Sequence, residues 1–321
     1  LLAGIHLALG SVETAAEALE RVIAKQPGSY KALETLAKVR MQQRKYQQAD
    51  ELYEKISALD PASMATKMKR IKCKLLQRDG AGLEKMAREL EAGHGASASA
   101  DDKALSLMIQ ALLAHPSNPR KAWELIDKAV VVAPNFGPAL HEKAIDSLHE
   151  GKLDEAIALL RRTETASVRP SGHPRLDYGA ALLRAGKLAE AEDVAIEEHL
   201  LLKTPESLAL IVAVALKAGQ TQRAGEYINA MKSKASELRA LREIAGHPKA
   251  AEITEKMVLA DAFARAGRSG WASQMLAESV QIAPENPDIR AIHANILIRN
   301  ARHDEAAKIL EELVAAHPRR A

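Results

Sequence analysis

The chain has 321 residues, 47% of them hydrophobic and 3% aromatic, with a formal net charge of +3. A charge this small, with both signs interspersed, excludes a general nucleic-acid binder, which clusters its excess on one face. The single cysteine, Cys73, excludes an intrachain disulfide framework and a cysteine-based metal site, and no apolar run approaches the 18 residues of a membrane-spanning helix.

Read from its first residue, the chain is a run of helix formers, with Ala and Leu carrying most of the apolar count. Period-2 runs of Val, Ile, Thr and Tyr are missing, so the fold class is all-α. The chain opens on LLAGIHLALG, already helical and without an initiating Met; we expect a fragment or processed form whose targeting segment has been removed. From there a pattern returns. A small residue recurs at Ala15, Ala49, Ala122, Ala156, Ala191, Ala224, Ala272 and Ala306, at spacings of 34, 73, 34, 35, 33, 48 and 34 residues. The interval of 73 holds one degenerate copy with Leu83 in the slot. Five residues before the alanine stands Gly10, Gly151, Gly186, Gly219 or Gly267, suited to the left-handed backbone that ends a helix. Twelve residues after it stands Pro27, Pro61, Pro134, Pro284 or Pro318, which stops the second helix; Val168 and Lys203 fill that slot in two other copies. Small residues in the first helix, Ala3, Ala37, Ala144, Gly179, Ala260 and Ala294, face the alanine series and mark a close crossing.

Each copy is therefore helix A, turn, helix B, turn, in about 34 residues, and this pattern resembles the tetratricopeptide repeat (TPR) family. The resemblance implies a right-handed α-solenoid of about nine TPR-like helix-turn-helix repeats in one continuous superhelical array. The copies fall near 1–27, 28–61, 62–95, 102–134, 135–168, 169–203, 204–236, 253–284 and 285–318. The period breaks twice. GHGASASADD, 93–102, reads as a loop. The stretch 232–252 holds about 14 extra residues, and either extends helix B of the seventh copy or adds a short helix before Gly246-His247-Pro248. The breaks divide the array into 1–95, 102–236 and 253–318 and are places for hinges. The third copy has Ile71 and Leu83 where small residues belong, so its helices are expected to pack less closely; the fourth has Gln110 in the first-helix slot. Where the family often places aromatics, this chain mostly has Leu, Met or His, with Tyr53 and Phe263 retained.

The resemblance also implies where a partner lies. In the family, residues near the end of helix A often face the concave groove. That slot here reads Gln42, His115, His149, Arg184, Lys217, Arg265 and Arg299, and neighbouring slots add Lys38, His141, Asp261 and Asn295. A column of basic or titratable side chains fits an acidic partner segment. It equally fits solvated cations in the last turn of a helix, which the helix dipole favours. The Lys-plus-Asn constellation of TPR proteins that clamp C-terminal carboxylates is not reproduced in adjacent repeats.

Other constellations carry no chemistry. KMKRIKCKLLQR, 67–78, spreads its charge around a helix and reads as a solvated surface rather than a nucleic-acid or lipid patch. No histidines stand in an i,i+4 pair, and His141 and His149, eight apart, do not read as metal ligands; no metal or cofactor is expected. Met68 and Met86 read as core fillers, Cys73 as a small buried hydrophobe, and Trp271 as a cover over a neighbouring helix. ARAGRSGWAS lacks a phosphate-loop pattern. With no nucleophile beside a base, the chain is not read as an enzyme. The expectation is a non-catalytic protein–protein interaction scaffold. Its leucine- and alanine-rich copies look similar to bacterial long-array TPR proteins, among them lipoproteins and periplasmic scaffolds encoded with exopolysaccharide export systems. That likeness implies a partner in polysaccharide synthesis or export, and a periplasmic or outer-membrane-attached location ahead of a cytoplasmic one. The alternatives are a cytosolic regulator or assembly factor, and the binding region of a larger enzyme; the scarcity of aromatics counts against direct glycan binding. The last helix, with Ile309, Leu310 and Leu313, is followed only by HPRRA, which leads us to expect a longer native chain or end-to-end self-association.

Overall fold

The computed structural model describes residues 12–93, 98–115, 117–170, 172–230, 236–299 and 302–317, apart from the side chains of 236–238 and of Arg299. The slots at Ala3, Gly10 and Pro318, and the middle of the expected 93–102 loop, lie outside the described residues. Among the described residues there are eighteen helices and no strand, only an isolated parallel bridge between Phe136 and Val168. The chain forms two compact units, Leu1–Pro134 and Asn135–Ala321. Their boundary lies between the fourth and fifth copies, at neither period break.

In the first unit, α1 (Val12–Lys25) precedes three hairpins: α2 (Tyr30–Gln42) with α3 (Tyr46–Leu59), α4 (Met64–Gln77) with α5 (Gly80–Ala92), and α6 (Ala100–Ala114) with α7 (Pro119–Val132). The second unit has α8 (Gly137–His149) with α9 (Leu153–Thr163), α10 (Pro174–Arg184) with α11 (Leu188–Leu202), and α12 (Pro205–Lys217) with α13 (Thr221–Ala230). A lone α14 (Ser236–Ile244) follows, then α15 (Ala250–Arg265) with α16 (Ser269–Ile282) and α17 (Pro287–Arg299) with α18 (His303–Ala316). Each unit is an α-solenoid, its hairpins following one another side by side.

The marks of the repeat do the work their chemistry suggests. All eight alanines of the helix-B series are buried, from Ala15 to Ala306, and so are Ala37, Ala144, Ala260 and Ala294 opposite them. At Gly179 a Cβ would come within 2.5 Å of Leu210 Cδ2, so any larger residue would force the Leu210 side chain to move where α10 meets α12. The turn glycines close one hydrogen-bonding pattern. Gly186 N–H donates to the Leu183 carbonyl and Lys187 N–H to that of Leu182, and Gly151, Gly219 and Gly267 repeat it with φ between +74° and +78°. Copies without a glycine make the same closure at a cost: Arg44 (φ 58°) and Arg78 (φ 57°) occupy the glycine slot in left-handed backbone.

Two expectations need adjustment. The fourth copy is one residue out of register: Ala111, not Gln110, packs with Ala122, Leu125 and Ile126, because Gln110 is only half-buried and turns to Glu91 and Ser106. The end of the expected loop is helical. Ser99 accepts the Asp102 N–H at 3.0 Å and starts α6, where Asp101 and Asp102 complement the helix dipole. Of the two readings of the extra residues, the structure has the short helix: α14 precedes Gly246-His247-Pro248. The third copy follows its reading: α4 and α5 make fewer close approaches than any other hairpin pair, as Ile71 and Leu83 in the small slots predict.

The insertion decides the architecture of the second unit. Elsewhere helix B of one copy packs on helix A of the next, as α9 on α10, α11 on α12 and α16 on α17. At the break, α14 stands in that place, packing against α12 and α17. Helix α15 packs instead along α12 and reaches back to α10, two A helices earlier. Helix α12 is consequently buried without interruption from Ser207 to Leu216, in keeping with its apolar run SLALIVAVAL.

Candidate functional site

The return of α15 brings chemistry-bearing side chains from distant copies to the inner face of α8 and α10. Asp177, in α10, is 1% exposed. It accepts from His141 Nε2 at 2.7 Å and from Arg265 Nη2 at 2.5 Å, so one buried carboxylate ties α8 and α15 to α10. Burial alone would raise the Asp177 pKa; Arg265 and His141 outweigh it and hold the carboxyl below its usual range. Burial likewise opposes a charge on His141, but the hydrogen bond and charge of Asp177 raise its pKa above the ordinary value. One turn further on, Arg268, 7% exposed, reaches Glu142 Oε2 at 2.9 Å and Asp146 Oδ1 at 3.3 Å. Burial pushes Asp146 up to about 6 against the pull of Arg268. Trp271 then lies flat on the His149 ring at 3.8 Å, with Phe263 edge-on to both and Arg268 over the indole at 5.6 Å. Burial, then the Arg184 charge, lowers the His149 pKa.

The expected groove residues divide by unit. In the first, Lys38 and Gln42 are exposed on α2, Lys38 beside Glu34 at 3.2 Å, and His115 caps the end of α6. In the second, His141, His149, Arg184, Lys217, Asp261, Arg265 and Asn295 lie along the A helices; the Arg299 side chain lies outside the described residues. Three cations of the column, Arg184, Lys217 and Arg265, are held within the chain. Arg184 Nη1 donates to the Leu148 carbonyl at 2.7 Å and Lys217 Nζ to the Leu183 carbonyl at 2.9 Å. Each thus caps the C-terminus of the preceding A helix, where carbonyls lack intrahelical partners and the dipole favours a cation. Lys217 also meets Glu255 at 2.6 Å, and Arg265 pairs with Asp261 as well as Asp177. Asp177, Glu142, Asp146 and Arg268 escape a sequence reading, because nothing local distinguishes them from solvated charge. The one available signal is the all-round apolar α12, which requires a cover on the inner side too.

Beside this network a cavity of about 170 Å³ opens between α10, α12, α15, α16 and α17. Leu176, Leu210, Met257, Leu276, Ile292 and Ile296 make most of its wall; Glu206, Asp261, Arg265 and Asn295 supply the polar part. Among the described residues no His, Cys, Asp and Glu cluster could hold a metal ion, and no helix is long and apolar enough to cross a membrane.

No curated protein matches the chain. Among solved structures it is similar to a chain in the crystal structure of the APC/C hetero-tetramer Cut9-Hcn1, at 17% identity and a TM-score of 0.48 over 95% of this chain. It spans 56% of that chain's length. The family model for the tetratricopeptide repeat matches residues 6–70 and 257–321, so the repeats at both ends of this chain are similar to that family.

Proposed function

We propose that the protein is a non-catalytic protein-interaction scaffold that anchors an apolar side chain of a partner segment in the cavity between α10, α12, α15 and α17. The observation that carries this reading is the cavity itself: an aliphatic wall with a few polar groups at its edge is the composition of a side-chain pocket. Repeats of this kind suggest protein–protein contact as the mode of action, and the extended inner face of a helical-repeat stack suits a segment rather than a small substrate. The likeness of the repeats to exopolysaccharide-system scaffolds names the partner class to test first, a polysaccharide synthesis or export component. The acidic-segment reading rests on the basic column, whose cations Arg184, Lys217 and Arg265 are already hydrogen-bonded.

The test is selection of a displayed 12-residue peptide library on the intact chain, followed by binding to Ala209→Phe, which fills the cavity from α12. Enriched peptides should share one large apolar residue and lose at least tenfold in affinity on the variant, while its melting temperature stays near the parent's. Unchanged affinity would remove the cavity from the reading. A shared run of Asp and Glu instead would restore the acidic-segment expectation.

A further inference from the structure

The inner face of α8 and α10 is covered by a turn of the same chain. Arg265, Arg268 and Trp271 stand three residues apart, at the end of α15, in its turn and in the first turn of α16. Each finds a complementary group on that face. Arg265 meets Asp177 at 2.5 Å across 88 residues of sequence, and Arg268 meets Glu142 at 2.9 Å across 126. Trp271 meets the His149 ring in a stack. The acceptors come from two hairpins, α8–α9 and α10–α11, whose helices pack on each other and bury Ile145, Ile157, Leu160, Leu182 and Val194. The face therefore belongs to the central repeats, and its charge is acidic where the end-of-helix column suggested basic.

We infer that this face is a receptor for a cationic-aromatic segment of the pattern Arg-x-x-Arg-x-x-Trp, closed in cis by residues 265–271, and that a partner carrying this pattern binds by displacing the chain's own turn. The fit is one of chemistry. Guanidinium groups match paired or buried carboxylates with directed hydrogen bonds, and an indole matches a flat imidazole. A segment bound in cis competes at high effective concentration, so a partner in trans binds weakly until the turn is released. The inference stands on these contacts and not on the neighbouring cavity.

The probe is a synthetic peptide of residues 262–273, used with Phe in place of its Trp only in the fluorescence measurement. The released form is the full chain with Arg265→Gln, Arg268→Gln and Trp271→Ala, none of which lies on the receptor face. Calorimetry should show one peptide bound per released chain, at least tenfold more tightly than to the parent. Adding Glu142→Gln and Asp146→Asn to the released form should abolish that binding. In the parent carrying Trp123→Phe, saturating peptide should shift Trp271 emission to the red as the indole leaves His149. Equal affinity for both forms, no binding by a released form that still unfolds cooperatively, or an unmoved Trp271 emission would each overturn the inference. A released form that has lost cooperative unfolding would overturn it too, by showing the turn to be core rather than ligand.

Discussion

Helices α2 and α12 hold the same place in their repeats and live in different surroundings. On α2 burial follows one stripe, Ala32, Leu33, Leu36, Ala37 and Val39, while Lys38 and Gln42 face solvent. On α12 ten consecutive residues are buried, and the cation in the column, Lys217, is spent on a carbonyl and on Glu255. The difference traces to α14. Where the period is kept, the next A helix falls in line and the inner face stays open. Where α14 intervenes, the next A helix is set inward and covers that face. An insertion of less than one repeat thus converts an open surface into an interior, and only the covered part must supply buried partners for its charges.

The sharpest break of this contrast is a pair of substitutions in the two columns. Arg265→Met leaves Asp177, 1% exposed, with His141 as its remaining partner. Removing one member of a buried ion pair costs about 3–5 kcal/mol. Lys38→Met removes an exposed pair with Glu34 and should change stability by less than about 0.5 kcal/mol. Urea unfolding of the full chain measures both, and equal small losses would erase the distinction between the two faces.

A second measurement sharpens the comparison through pH. The His141 pKa is raised above its ordinary 6.5. The stability it contributes is therefore fully present below pH 6.5 and lost as pH rises through the folded value. Asp146, pushed from 3.8 up to about 6, acts in the same sense over a more acidic window, whereas the lowered His149 loses stability as pH falls below 6.5. The readout is accordingly the stability gap between the parent and His141→Gln. It should narrow from pH 6.5 upward by at most about 1.4 kcal/mol per pH unit. A gap that widens with pH would contradict a protonated His141 in the Asp177 pair.

The smallest effect lies in the turns of the first unit. Arg44 and Arg78 hold left-handed backbone that the second unit assigns to Gly151, Gly186, Gly219 and Gly267. Arg44→Gly and Arg78→Gly should each stabilise by about 0.5–1 kcal/mol, since a side chain in this conformation is strained and glycine is not. Thermal melts read this directly, and a loss at both sites would mean that the arginine side chains contribute more than their backbones cost.

The repeat was legible because its determinants are local. The small residue at each crossing, the glycine or its arginine substitute in the turn, and the spacing between them act within one hairpin, so Ala15, Ala49, Ala156 and Ala306 could be placed by counting. Among the described residues register failed at Gln110, where a small residue stands one place further on at Ala111. The polar partners of Asp177 and Arg268 could not be placed by counting. They come together across 36 to 126 residues, and whether they meet depends on how far α14 displaces α15.

Sequence alone determined that this chain is a series of paired helices with close crossings and where nearly all of its hairpins turn. The tertiary structure decided that the second unit covers its own inner face, and that Arg184, Lys217, Arg265 and Arg268 are bound rather than free. The physical reason is that helix pairing is set by side chains a few residues apart, whereas closure depends on angles accumulated over several hairpins and one inserted helix.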